Sequence, residues 1–331
     1  MKKKLLFLVI IFVVVFFYYQ SEVSTPNHND AGEKQFEIAS GQGIGDIADN
    51  LEEQGFLDNK LMFKIYIQFN GYRSKFQEGK FTLKTDLSIK ELVSDLIETR
   101  RTFEEQDIVL IEGWSIKEMD EHLTNTEIIE KGSLIDYFET VKNEDYEFLS
   151  DREHKDDLEG YVYPDTYRIY VGSSVEKIGE KMLANFDSKL TEEMRDVIKK
   201  QGKSIYDVIT LASIVEKEMF GYENRRIVAG VFNNRLEIGM PLQSDATVNY
   251  ITKKGIAAPS LDDIAIENPY NTYKNRGLTP GPICNPSIEA IKSVIYAEDT
   301  DYVYFLTTKE NKIIFSKTHD EHVANKFKYL K

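Results

Sequence analysis

The segment from Ser204 to Phe220, SIYDVITLASIVEKEMF, ends an apolar run with two carboxylates, Glu216 and Glu218. It contains neither Gly nor Pro and its apolar residues recur at helical spacing, so the pattern predicts a helix. At about 100° per residue, Ile205, Ile209, Ala212, Glu216 and Met219 share one stripe, while Glu218 lies about 200° further round with Asp207, Leu211 and Ile214. The two glutamates therefore point apart. A Glu on a buried face needs a cationic partner, a pKa raised by desolvation, or a place on a cleft wall. The last two together describe a general acid; the first describes an ordinary salt bridge to one of the arginines that follow. Helix geometry by itself favours the salt bridge for Glu216.

Other chemistries fall away on inspection. There is no G-x-x-x-x-G-K-[ST] loop, no H-E-x-x-H helix and no G-x-S-x-G elbow. His319 and His322 have no third ligand spaced to join them, so neither a metal nor a cofactor is expected. The single cysteine, Cys284, rules out an internal disulfide and any site built from several thiolates. A net charge of −15 and a pI near 5.0 argue against a nucleic-acid partner. What remains is carboxylate chemistry. Glycosidases set two carboxyls about 5 Å apart for retention, or roughly 6.5 to 9.5 Å apart for inversion. Diverging glutamates on one helix cannot form such a pair, so a second carboxylate must come from elsewhere, with Asp245 best placed, or one must suffice.

A length of 331 residues suggests about two domains. Residues 1–19 open with three lysines and run through fifteen apolar or aromatic residues, Leu5 to Tyr19. No small-x-small cleavage site follows, so a retained transmembrane anchor is expected, with Lys2, Lys3 and Lys4 in the cytoplasm and the remainder outside the cell. The polar residues 20–34 read as a tether. Over 35–105 and just beyond, strand-like runs at Phe36–Ile38, Phe81–Leu83 and Ile108–Ile111 each precede a helical triplet. These triplets are Ile44/Ile47/Leu51, Ile89/Leu92/Leu96 and Ile116/Met119/Leu123. Three strand-then-helix units are expected, with Gly41 and Gly113 at matching turns.

Residues 106–331 carry the remaining signals. Gly160–Tyr170, GYVYPDTYRIY, reads as a strand broken by a turn at Pro164 and Asp165. Asn224–Ile238 reads as an amphipathic helix with Arg225, Arg226 and Arg235 on its polar side. In Met240–Tyr250, Gln243, Asp245 and Thr247 recur at period two, which predicts a polar face on an extended segment. Asn268–Pro286 holds four of the eight prolines and reads as an irregular loop long enough to bind something, with Tyr270, Asn271 and Tyr273 suited to stacking and hydrogen bonding. A hairpin of Tyr302–Thr307 with Lys312–Phe315 and a helix over Asp320–Tyr329 close the chain.

The strings LEGYVYPDTY, LASIVEKE, NNRLEIGMPLQSDATVNY, YNTY and GLTPGPICNP, in this order, closely resemble the MltG, or YceG-like, family of endolytic murein transglycosylases. The resemblance implies an α+β protein with an N-terminal membrane helix, a small LysM-like α/β region and a mixed α/β catalytic domain. It implies water-free cleavage of peptidoglycan glycan strands between N-acetylmuramic acid and N-acetylglucosamine, leaving anhydro ends. It also implies partnership with the cell-wall elongation and synthesis machinery. One Glu protonates the glycosidic oxygen and then helps the muramyl C6 hydroxyl close the anhydro ring. The resemblance assigns that part to Glu216, and places Gln243, Asp245, Thr247, Tyr250, Tyr270, Asn271, Thr272 and Tyr273 along the cleft. Asp245 is expected to steady oxocarbenium-like charge, and Asn271 and Gln243 to hold acetamido groups. Thr279 and Ser287 stand where many relatives have Pro and Gly, which touches the loop's geometry. A non-catalytic peptidoglycan-binding scaffold and a hydrolytic muramidase are the alternatives.

Overall fold

The computed structural model describes residues 2–27, 32–39, 41–98, 105–152, 158–255, 258–310 and 312–330. The chain divides into two compact units, Met1–Glu104 and Glu105–Lys331, and combines helices with small antiparallel sheets in an α+β arrangement.

In the first unit, helix α1 (Lys2–Ser24) precedes strand β1 (Glu33–Ile38), helices α2 (Ile44–Glu53) and α3 (Lys60–Asn70), strand β2 (Gly79–Lys84) and helix α4 (Ile89–Glu98). β1 and β2 pair antiparallel with Phe36 opposite Phe81. Alternation turns Phe36, Ile38, Phe81 and Leu83 inward, where Leu51, Phe56, Phe63 and Leu92 cover them. The expected tether is shorter than its polarity suggested. α1 continues through Gln20–Ser24, burying Val23, and Glu22 accepts a hydrogen bond from Asn59 at 3.1 Å. The helix stops just before Pro26, as the residue ahead of a proline resists helical geometry. Among the described residues, no helix is long and apolar enough to cross a membrane.

In the second unit, β3 (Glu105–Val109) pairs antiparallel with β4 (Thr166–Tyr170), and α5 (Ile116–Asn125) follows β3. The third strand-and-helix copy thus belongs to this unit and finds its partner strand some sixty residues later rather than extending the β1–β2 pair. Helices α6 (Ser133–Thr140), α7 (Val175–Lys189) and α8 (Glu192–Lys200) lead to α9 (Ile205–Glu218), the helix expected from its spacing. Every residue of α9 from Val208 to Glu216 is buried, so the helix runs through the core instead of lying on it. It packs against α10 (Tyr222–Glu237), α11 (Asp245–Thr252) and α13 (Ile288–Ile295), with the short α12 (Leu261–Ile264) between the last two in sequence. The β5–β6 hairpin (Tyr304–Thr307, Ile313–Ser316) and α14 (His319–Tyr329) close the unit.

The proline-rich stretch of 268–286 has no helix or strand, yet Gly281–Ser287 is buried throughout. Asn285 holds it in place. Its side-chain oxygen accepts from Gly160 N at 2.9 Å and Val162 N at 3.0 Å, and its amide donates to Glu159 Oε1 at 2.7 Å and Trp114 O at 3.0 Å. One buried amide thus satisfies three backbone groups from two separated segments, where each orphaned group would be costly.

Candidate active site

The last turn of α9 sends its two glutamates into different surroundings. Glu216 is buried, and three donors converge on it. Arg225 Nη2 of α10 reaches Oε1 at 2.5 Å, while Ser287 reaches Oε2 with its backbone N at 2.9 Å and its hydroxyl at 2.5 Å. Ser287 is the N-cap of α13, so the carboxylate also faces the positive end of that helix. Arg225 is held in turn by Met219 O at 2.8 Å. This corrects the reading of Arg225 as a polar-face residue: Arg225 and Arg235 are both buried. Arg235 extends beneath the chain to bond Val303 O at 2.7 Å and Leu242 O at 2.6 Å. Burial is affordable for a guanidinium because its several donors all find acceptors.

Glu218 faces the start of α11. It is partly exposed, closed in by protein on most sides but still touching solvent, as a group on a narrow cleft wall would be. Burial raises its pKa, and the neighbouring Asp245 charge adds to this; the Ser244 hydroxyl, the Ala246 N–H and Arg235 act in the opposite direction without cancelling it. Ser244 is the N-cap of α11, but its hydroxyl accepts no bond from its own helix and instead donates to Glu218 Oε1. The traits sought in an acid, a carboxyl with a raised pKa and no cation clamped to it, thus meet at Glu218.

The segment carrying Gln243, Asp245 and Thr247 is not extended, which corrects the period-two reading. Gln243 takes φ of +50°, a left-handed turn, and α11 begins at Asp245. Ser followed by Asp is a helix-start signal, and here it prevails over the alternation. On a helix Asp245 and Thr247 diverge by about 200°. Thr247 is buried and its hydroxyl meets that of Thr272 at 2.8 Å, while Thr272 Oγ1 accepts from Ser244 N at 3.0 Å and Gln243 N donates to Thr272 O at 3.2 Å.

The YNTY loop therefore clasps the turn before α11. Asn271 is fully buried, donating to Ile264 O at 3.1 Å and Ile266 O at 2.8 Å and accepting from Tyr273 N at 3.0 Å. It has no amide group left for an acetamido partner, and with Thr247 and Thr272 it forms the wall's interior instead of its surface. Tyr273 donates to Asp245 Oδ1 at 2.6 Å, and the Tyr250 and Tyr270 rings lie 5.0 Å apart, both partly exposed. Gln243 is exposed, so Gln243, Asp245, Tyr250, Tyr270 and Tyr273 remain the reachable members of the expected set.

Comparison with known proteins bears on what such a wall serves. The model of the YceG-like family matches residues 36–328, which spans both units. The chain belongs to the YceG-like family. A YceG-like relative in Bacillus subtilis strain 168, named endolytic murein transglycosylase, is 30% identical over 308 residues, covering 88% of this chain and 84% of that one. A protein of the same name in Streptococcus pneumoniae D39 is 30% identical over 315 residues, 87% of this chain but 57% of its own greater length. A crystal structure of a yceG-like protein from Listeria monocytogenes superposes with a TM-score of 0.60 at 30% identity, over 89% of this chain and all of that one.

For this member of the family, sequence reasoning passed over Ser244, Arg225, Asn285 and Ser287. Ser287, noted only as a loop departure, turns out to supply two of the three donors on Glu216. The signal for Ser244 was available in its place ahead of Asp245; helix geometry favoured a salt bridge from Glu216 to a following arginine, and Arg225 is that arginine.

Proposed function

We propose that this chain is an endolytic murein transglycosylase, a lyase of peptidoglycan glycan strands, in which Glu218 is the proton donor. The single observation that carries the assignment is the split between the two glutamates. Glu216 has its oxygens taken up by Arg225 and Ser287, whereas Glu218 has a raised pKa and an opening to solvent. A general acid must hold its proton at the working pH and reach the leaving oxygen.

In the reaction, the Glu218 carboxyl gives its proton to the oxygen linking N-acetylmuramic acid to N-acetylglucosamine, and the bond from muramyl C1 to that oxygen breaks. The resulting carboxylate takes the proton of the muramyl C6 hydroxyl as its oxygen bonds C1. The acid is thereby regenerated and no water is consumed. Asp245 lies on the same wall, where its negative charge stabilises positive charge developing at C1. Tyr250 and Tyr270 offer faces for the sugar rings.

Within the first unit, β1 and β2 enclosing α2 and α3 support the reading of a LysM-like glycan-binding region. The apolar run Leu5–Tyr19 on α1, with Phe12, Val14 and Phe17 exposed, supports a single membrane anchor with its lysines cytoplasmic and both units outside. An enzyme anchored there acts on nascent strands and works beside the elongating synthesis machinery.

Mass spectrometry of uncrosslinked glycan strands treated with the full chain in detergent micelles tests the assignment. Anhydromuramyl-ended internal fragments are expected from wild type, with a loss of about 10²-fold or more in Glu218→Gln. If Glu216→Gln, folded by fluorescence, abolishes cleavage while Glu218→Gln retains it, the roles are reversed. Reducing ends from wild type would show hydrolysis instead.

A further inference from the structure

Asp245 and Tyr273 stand out as a hydrogen-bonded pair that no step of the chemistry above uses for proton transfer. Tyr273 donates to Asp245 Oδ1 at 2.6 Å, and Asp245 is the first residue of α11, adjacent to the Ser244 whose hydroxyl meets Glu218. The turn carrying both is fixed from behind. Thr272 Oγ1 accepts from Ser244 N at 3.0 Å, and Gln243 is held at φ of +50° with its N–H on Thr272 O at 3.2 Å. A left-handed backbone is unfavourable for a non-glycine residue, so it persists only where its surroundings impose it. Here the imposed turn is what brings Ser244 and Asp245 to Glu218.

Resting on the reading of Glu218 as the acid, we propose that Tyr273 and Asp245 are positioning residues that hold a fixed negative charge beside Glu218 and so keep its proton on until substrate arrives. The Tyr273 hydroxyl holds the Asp245 carboxyl group in place through its hydrogen bond to Oδ1. A carboxylate pinned beside a second carboxyl disfavours a second ionisation. Ser244 donates its O–H to Oε1 and so fixes the orientation of the Glu218 carboxyl. The other charged and titratable groups about Glu218 are Arg235 of α10, which opposes the effect, and Tyr273 itself; burial raises the Tyr273 pKa too, so it stays a donor across the working range.

The pH dependence of kcat/KM on uncrosslinked glycan strands tests this, with the full chain in detergent. The basic limb reports loss of the acid's proton from the free enzyme. Asp245→Asn keeps the shape and removes the charge, and the basic limb is expected to move to lower pH; Tyr273→Phe moves it in the same direction by less, and Asp245→Glu returns it toward wild type. A rate loss in Asp245→Asn with an unmoved limb, or a limb moved to higher pH, overturns the proposal. Glu218→Gln separates the two readings: if it retains cleavage, the acid is elsewhere, whereas an inactive Glu218→Gln with an unmoved Asp245→Asn limb sinks only the positioning role.

Discussion

Replacing Arg225 by Met removes the cation from the Glu216 pair and gives a direct measure of whether Glu216 is structural. Both side chains are nearly sealed, at 5% and 7% exposure. Removing one partner of such a pair leaves the other charge buried, at about 3–5 kcal/mol. Arg225 also gives up its bond to Met219 O, worth about 1 kcal/mol. Against this, Ser287 N and Oγ stay on Glu216 Oε2 and keep part of its solvation. The expected net loss is about 4 kcal/mol. In Glu216→Met/Arg225→Met no charge is stranded, and apolar replacement of a whole buried pair is often near neutral. The double variant should therefore be more stable than Arg225→Met by at least about 2 kcal/mol, and with Glu216→Met completing the double-mutant cycle the coupling should be of the size measured for contacting residues, about 0.5–3 kcal/mol. The chain's one tryptophan, Trp114, lies in the second unit, so guanidinium unfolding followed by its fluorescence reports on the unit that contains the pair. A coupling below about 0.5 kcal/mol would mean that the two side chains behave independently. The division of labour between Glu216 and Glu218 would then lose its basis.

Two further outcomes follow from the same geometry. Because the Glu218 pKa is raised in the folded chain, the folded state binds more protons than the unfolded one between the two values. Its contribution to stability is full below the unfolded Glu value and is lost as pH rises through the folded one, so Glu218→Gln should flatten that decline and be the more stable protein at neutral pH. Unfolding midpoints across acid to neutral pH check this, and an unchanged slope would contradict the raised pKa. Gly160→Ala should cost at least about 2 kcal/mol, since Gly160 has φ of +92° and an added Cβ would lie 2.6 Å from Pro282 Cγ and 2.7 Å from Ile209 Cγ2. Thermal unfolding within 1 °C of wild type would refute the close approach.

The parts of the fold that could be read directly are those where a local pattern is also the tertiary answer. α9, α10 and α14 and the β5–β6 hairpin fall where their residue patterns place them, and in α9 the apolar residues that define the period are the ones the core buries. The α11 segment failed for a local reason. Gln243, Asp245 and Thr247 alternate as a strand would, but Ser244 and Asp245 are also a helix start, and the left-handed Gln243 needed to turn into that helix leaves no mark in a single sequence. The third strand-and-helix copy failed for a tertiary reason. β3 resembles β1 and β2 in composition, yet its partner is β4, reached only after α5, α6 and the turns that follow. Such long-range pairing has no local signature.

The site shows the same limit more sharply. Both glutamates of EKE carry the same charge on the same helix, and helical spacing correctly sends them apart. It favours a salt bridge for Glu216 but says neither which arginine supplies it nor that Glu218 meets a cleft. That depends on Arg225, seven residues after Glu218, reaching back to Glu216, and on Ser287, about seventy residues away, capping a helix against the same carboxylate. The apolar stripe singled out Glu216 as the unusual residue, and burial there is real, but burial with three donors makes an anchor. The glutamate assigned to the more ordinary face meets a helix start, one hydroxyl and a second carboxylate. An acid needs that combination: enough desolvation and like charge to retain a proton, and too few donors to remove the reason for retaining it. Chemistry at this helix end is therefore set by what the neighbouring elements withhold from Glu218 as much as by what they supply to Glu216.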